Sequence, residues 1–122
     1  MKRVLVVEDD FIIQMFIEKV VQDLGWNLIG TASRSDEALS LLENNSLDMV
    51  MMDIGIDGDK DGVETVIEMK KKNEDVKVVF VTGNADEFTM DRAKETNPLG
   101  FVFKPIDEDK LKAELLRFGD ML

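Results

Sequence analysis

Acidic residues follow two short apolar runs of this 122-residue chain, which occupy positions 4–7 and 49–52. The acids that stand directly after these runs are Glu8, Asp9, Asp10 and Asp53. Continuous apolar runs of this length are typical of buried strands in a parallel sheet, because helices cover both faces of such a sheet. Carboxylates that meet at one edge of a sheet repel one another and favour protonation unless a cation joins them. The spacing therefore predicts a metal site.

Polar residues also close two later apolar runs. Thr82 follows residues 78–81, and Lys104 follows residues 101–103. In open α/β sheets the ligand crevice lies outside the carboxyl ends of the strands, so these side chains are expected beside the acids. A carboxylate nucleophile, a divalent cation, a hydroxyl donor and a lysine together suit phosphoryl transfer. In that reaction the protein mainly positions the reactants and neutralises charge on the phosphoryl oxygens.

The composition restricts both the metal and the partners. The chain contains neither cysteine nor histidine, so any metal must be held by oxygen, which indicates magnesium, calcium or manganese. A net charge of −11 argues against direct nucleic-acid binding, which normally leaves a basic footprint. No apolar stretch approaches the roughly 20 residues of a bilayer span, and no signal peptide is recognisable, so we expect a cytoplasmic protein without a membrane partner.

Strand and helix patterns alternate along the whole chain. Strands are predicted over residues 3–7, 27–32, 48–52, 77–81 and 100–103. Helices are predicted over residues 11–24, 36–43, 62–72, 85–95 and 108–118. Gly25 is expected to end the first helix, Ser35 or Asp36 to cap the second, and Asp107 to cap the fifth. Five such βα units predict a single α/β domain over residues 1–122, with a parallel sheet and helices on both faces.

The strand-end motifs together resemble the receiver domain of bacterial response regulators, over essentially the whole chain. They lie at residues 6–10, at Asp53 with the loop to Asp61-Gly62, at residues 81–83 and at residues 100–105. Each motif is weak alone, but the four occur in order, each at a strand end. The resemblance implies a flavodoxin-like doubly wound (βα)5 fold with strand order 2-1-3-4-5. The resemblance also implies the single-domain form that is similar to chemotaxis regulators, so we expect no effector domain in this chain.

The resemblance also implies a role for each acid. Asp53 would be the phosphoacceptor of a two-component pathway, attacking phosphorus in the phosphohistidine of a sensor kinase or of a histidine phosphotransfer protein. Mg²⁺ would be the cofactor, held by Asp9 and Asp53, by Glu8 through a water molecule, and by the backbone carbonyl of Gly55. The product would be an aspartyl phosphate, formed and later hydrolysed by the domain itself rather than by a turnover enzyme.

Three further roles are implied by the same resemblance. Thr82 would hydrogen-bond one phosphoryl oxygen, and Lys104 would pair with another. Thr82 would then move toward the phosphoryl group and Phe101 would rotate into the vacated space. This change would remodel the surface of the fourth helix, the last strand and the fifth helix, which would control a downstream protein partner. The Lys104–Pro105 peptide is expected to be cis.

Other interpretations of single residues stay open in the sequence. Asp10 suits either a third metal-shell acid or the start of the first helix. Asn84 is a candidate for tuning how fast water reaches the acyl phosphate. Ile12 and Met15, beside the core stripe of the first helix, are candidates for a docking patch with Pro105 and Ile106.

The loop after Asp53 departs from the family, being one residue longer than usual. It matches the calcium-loop pattern D-x-[DN]-x-[DN]-G-x₅-E at Asp57, Asp59, Asp61, Gly62 and Glu68. A predicted strand precedes it where an EF-hand needs a helix, so a solvated acidic turn is favoured.

Two alternative functions also stay open. One is an aspartyl-phosphate phosphatase, which would need a second aspartate where Gly55 stands. The other is an interaction domain that keeps the receiver fold without being phosphorylated.

Overall fold

The computed structural model describes residues 1–56, 58–83 and 86–122, which form alternating strands and helices. The strands are β1 (Arg3–Val7), β2 (Asn27–Ala32), β3 (Met49–Asp53), β4 (Val78–Thr82) and β5 (Gly100–Phe103). The helices are α1 (Phe11–Asp23), α2 (Ser35–Asn44), α3 (Gly62–Lys72), α4 (Glu87–Lys94) and α5 (Glu108–Gly119). All neighbouring strands pair in parallel, in the order β2-β1-β3-β4-β5. The predicted fold is confirmed.

The sheet separates two apolar layers because successive side chains of a strand point to opposite faces. Val4 and Val6 of β1 pack on the side of α1 and α5, whereas Leu5 and Val7 pack on the side of α2, α3 and α4. Both layers contain residues with no exposed surface, such as Met51 in one and Met52 in the other. Coverage of both faces explains why the strands are continuous apolar runs in the sequence.

Two strands, β3 and β4, begin and end one residue later than predicted. Asp53 still pairs with Val81, and Thr82 still pairs with Phe103, so each polar residue is the last member of its strand rather than the first of a loop. The ladder continues beyond them, since the amide of Lys104 donates to the carbonyl of Thr82 at 2.9 Å. These backbone hydrogen bonds fix the positions of both polar side chains at the sheet edge.

Two of the three predicted helix signals are confirmed. Gly25 has a φ of 76° directly after the last turn of α1, and Asp107 accepts a hydrogen bond from the amide of Lys110 as the N-cap of α5. The predicted cap of α2 is wrong. Ser35 is already the first helical residue because the backbone is still extended at Arg34, and no described side chain caps this helix.

The start of α3 sits directly on the backbone that follows Asp53. The amide of Gly62 donates to the carbonyl of Ile54 at 2.8 Å. A Cβ atom built on Gly62 would lie 2.2 Å from the carbonyl oxygen of Asp53, which is far inside any permitted contact. Only glycine allows this approach, so Gly62 determines how α3 is placed against the end of β3.

We expect Gly62→Ala to lower the free energy of unfolding by about 3 kcal/mol, because the atom that the methyl group meets belongs to the backbone and has no alternative rotamer. Urea denaturation of the purified domain measures this loss. Gly55→Ala is the matched control, since no described atom lies within 4 Å of a Cβ there. Equal midpoints for the two variants would contradict the packing argument.

Candidate functional site

Three carboxylates meet at the carboxyl edge of the sheet. Glu8 and Asp9 follow β1, Asp53 ends β3, and one oxygen from each residue lies within 4.8 Å of the others. Pairing of Val7 with Met52 brings the two chain segments side by side. Glu8 and Asp53 are buried, and Asp9 is half-buried. The structure therefore places together the three acidic side chains that the sequence marked for metal binding.

Lys104 is the cation beside these acids. Its Nζ atom donates to Glu8 Oε1 at 2.9 Å and lies 3.5 Å from Asp53 Oδ1. The lysine side chain is four-fifths buried, and the two carboxylate side chains are almost fully buried. The following Lys104–Pro105 peptide is cis, as expected. One ammonium group thus faces two buried acids directly.

The charges in this cluster do not balance. Burial is the main reason that the pKa of Glu8 is raised to about 8, and the neighbouring Asp53 adds to the effect while Lys104 opposes it. Burial also favours the neutral amine of Lys104, but its contacts with Glu8 and Asp53 outweigh this and raise the pKa of Lys104. Glu8 Oε2 is buried and has no hydrogen-bond partner among the described residues. A hard divalent cation would bind this unpartnered oxygen and offset the excess negative charge of the cluster.

The Asp53 carboxylate also faces an open pocket. The pocket wall includes Gly55, Thr82 and Lys104, so predicted site residues from three separate chain segments meet around Asp53. The amide of Gly55 donates to Asp53 Oδ1 at 3.2 Å, which holds the carboxylate in one orientation. Thr82 is 2% exposed. The pocket therefore presents a carboxylate, a hydroxyl and an ammonium group to an entering molecule.

A family model of the response regulator receiver domain matches residues 4–116. The chain belongs to this family. It is 27% identical over 104 residues to the transcriptional regulatory protein PdtaR of Mycobacterium tuberculosis, a match that covers 85% of this chain and 50% of that protein. The chain spans about half the length of this relative and of two further curated relatives.

Solved receiver domains share its fold. The signal receiver domain of a modulated diguanylate cyclase from Desulfovibrio desulfuricans has a TM-score of 0.86 at 29% identity, covering 99% of this chain and 92% of that one. The isolated receiver domain of RcsB from Salmonella enterica, determined with the phosphomimetic BeF3⁻, has a TM-score of 0.85 at 20% identity, covering 94% and 86%. Within the described part of the chain, no helix combines the length and the apolar character that a bilayer crossing requires.

Phe101 of this receiver domain lies outside the pocket. Its ring stacks between Phe80, at a centroid distance of 5.7 Å, and Phe103, at 6.2 Å. It is half-buried against the apolar layer under α2, α3 and α4, whereas Phe103 is 46% exposed. Phe101 thus connects the core to the outer surface of β5.

Asp10 lies at the start of the first helix. Asp10 Oδ1 accepts hydrogen bonds from the amides of Ile12 at 2.9 Å and Ile13 at 3.2 Å, as the N-cap of α1. The structure therefore gives Asp10 the helix-starting role, one of the two that the sequence left open. Asn84, the candidate for tuning hydrolysis, lies outside the described residues.

Acidic residues of the loop after Asp53 take part in the start of α3. Asp61 is the N-cap of α3 and forms a capping box with Glu64, and Glu68 pairs with Lys60. A strand precedes the loop where an EF-hand has a helix, so the acidic-turn interpretation is favoured by the structure as well. Asp57, the first residue of the pattern, lies outside the described part of the chain.

Two residues of the pocket wall, Asp61 and Thr89, were not predicted to line this site. The D-x-x-E spacing of Asp61 and Glu64 is the signature of a capping box and marks the start of α3. No sequence signal marks the ion pair of Asp61 Oδ2 with Arg92 Nη1 at 3.0 Å, because 31 residues separate the partners.

Proposed function

We propose that this receiver domain accepts a phosphoryl group on Asp53 from a phosphohistidine of a sensor kinase or of a histidine phosphotransfer protein. The observation that carries the proposal is the position of Asp53, which ends β3 within 4.8 Å of Glu8 and Asp9 and 3.5 Å from Lys104. A carboxylate oxygen attacks phosphorus, the P–N bond breaks, and its electron pair returns to the imidazole. Water later attacks the same phosphorus, so Asp53 is regenerated and inorganic phosphate leaves.

The surrounding residues orient and neutralise the phosphoryl group. Lys104 pairs with one phosphoryl oxygen, and the hydroxyl of Thr82 hydrogen-bonds another. Glu8, Asp9, Asp53 and the carbonyl of Gly55 would hold Mg²⁺. When bound, the metal supplies positive charge that offsets the charge on the phosphoryl oxygens.

The output is a shift between two conformations of the α4-β5-α5 surface rather than a released product. Movement of Thr82 toward the phosphoryl group opens space for Phe101, whose ring already connects the core with Phe103 at the surface. A downstream protein that binds one conformation better than the other would read the signal. The domain is therefore a self-modifying switch and not a turnover enzyme. The two-component pathway that it would serve operates in the cytoplasm.

Phosphoryl incorporation tests this function directly. The native chain is incubated with acetyl phosphate in Mg²⁺ or in a chelator, and intact mass is then recorded. We expect one added phosphoryl group with Mg²⁺, none with the chelator, and gradual loss after the donor is removed. Absence of labelling in Mg²⁺ would overturn the proposal and favour an interaction domain that uses the fold alone, whereas steady release of phosphate from phosphoesters would favour a phosphatase.

The first helix offers a place for the phosphodonor protein. Ile12 is 72% exposed and Met15 is 50% exposed, and both lie on the helix that begins next to the acidic cluster. We expect the double change Ile12→Gln with Met15→Gln to slow transfer from the kinase by about tenfold or more, since two apolar contacts of an interface are lost. Labelling by acetyl phosphate should be unchanged.

Ile67→Gln is the matched control, because Ile67 is an apolar residue of α3 with 44% exposure. This control should leave both reactions at the native rate. Equal slowing of both donors in the double variant would show that the pocket itself has been damaged and would contradict the docking patch.

A further inference from the structure

Helix α4 is held in place by few apolar contacts. Of its eight residues, Ala93 is the one that is buried, and Phe88 is 73% exposed. By contrast, α3 buries five residues and α5 buries four. A helix with so little buried surface depends on its polar contacts for its position.

One such contact joins α4 to the loop that follows the phosphoacceptor. Arg92 Nη1 lies 3.0 Å from Asp61 Oδ2, and each side chain is about one-third exposed, at 31% and 32%. The Asp61 carboxylate is already fixed by its other oxygen, which accepts a hydrogen bond from the amide of Glu64 at 2.8 Å. Because one partner is held rigidly, the pair loses less conformational entropy than an ordinary surface pair.

One partner of this pair, Asp61, also belongs to the wall of the phosphoacceptor pocket. Asp61 lines the pocket with Asp53, and so does Thr89, which lies three residues before Arg92 on α4. A phosphoryl group on Asp53 would add negative charge to the space that the Asp61 carboxylate borders. That charge repels the Asp61 carboxylate and attracts the Arg92 guanidinium, so it weakens the ion pair that holds α4.

We propose that Asp61 and Arg92 are positioning residues whose ion pair holds α4 against the pocket in the unphosphorylated domain and is released on phosphorylation. The link to phosphorylation rests on the proposed function, whereas the positioning of α4 does not. The pair stabilises the resting conformation, and switching must overcome this contribution. Loss of either partner therefore shifts the domain toward the switched conformation.

Hydrogen exchange of α4 tests the positioning. The variants are Arg92→Gln, Asp61→Asn, which keeps an N-cap acceptor for α3, and the double variant. We expect amide exchange in α4 to rise about two- to fivefold in each single variant and no further in the double variant. Lys94→Gln is the matched control, since it removes one positive charge from α4 and should exchange at the native rate. Unchanged exchange in both single variants, or additive effects in the double variant, would overturn the proposal.

Binding of beryllofluoride with Mg²⁺ tests the release. Removing a cation near an anion site should weaken binding by electrostatics alone. If Arg92 positions α4, the opposite change is expected: Arg92→Gln should bind beryllofluoride about two- to fivefold more tightly than the native chain. The affinity of Arg92→Lys should lie nearer the native value. Weaker binding to Arg92→Gln would overturn the release on phosphorylation. If the native chain does not bind beryllofluoride, the proposed function fails, and hydrogen exchange still decides whether the pair positions α4.

Discussion

Asp53→Asn should abolish phosphoryl incorporation, with a loss of at least about 10³-fold in the rate of labelling by acetyl phosphate. The amide is a poor nucleophile, and it has the same shape as the carboxylate that it replaces. The rate is measured as phosphorylated mass against time in saturating Mg²⁺. Folding should be intact, because the substitution removes a negative charge that lies beside Glu8 in a buried site.

Asp59→Asn is the matched control for this experiment. Asp59 lies six residues after Asp53 on the same loop and is exposed, so the same chemical change is made outside the carboxylate cluster. This variant should be labelled at the native rate. Labelling of Asp53→Asn at the native rate would mean that another residue accepts the phosphoryl group.

Mg²⁺ affinity should rise steeply with pH, by up to about tenfold per unit between about pH 6 and pH 8. The reason is that the pKa of Glu8 is about 8 in the metal-free domain, so this carboxyl must lose its proton before it can take part in metal binding. Calorimetry in buffers of different ionisation enthalpy measures both the affinity and the protons released. In Glu8→Gln, which carries no proton to displace, binding should be weaker and much less dependent on pH.

The same pKa shift predicts how stability changes with pH in the absence of metal. The carboxyl of Glu8 ionises near 4.5 in the unfolded chain and near 8 in the folded domain, so the folded domain binds this proton more tightly. Its contribution to stability therefore falls as pH rises from about 4.5 to about 8. Urea denaturation should show the native domain losing stability relative to Glu8→Gln across this window. A constant difference between the two proteins would contradict the raised pKa.

Much of the fold could be predicted from the chain because buried parallel strands must be continuously apolar. Residues 4–7 and 49–52 show this pattern plainly, and both lie in the centre of the sheet. Boundaries were predicted less well where pairing with a neighbouring strand decides them. Asp53 and Thr82 belong to their strands because Val81 and Phe103 pair with them, which no local pattern indicates.

The cap of α2 shows the same limit. Serine and aspartate are good N-cap residues, and both occur at the start of the helix. The backbone nevertheless enters the helix at Ser35, so the capping preference of one residue did not decide where the helix begins. Asp10 is the converse case, since its cap on α1 is a local interaction that the sequence already offered as one of two roles.

The sequence by itself determined which chemical groups this receiver domain carries to the edge of its sheet. Alternating strands and helices place Glu8, Asp9, Asp53, Thr82 and Lys104 at strand ends, and the lack of histidine and cysteine restricts any metal to oxygen ligands. The tertiary structure alone decided their electrostatics. The raised pKa of Glu8 and the ion pair of Asp61 with Arg92 both depend on burial and on partners distant in the chain, which only folding brings within a few ångströms.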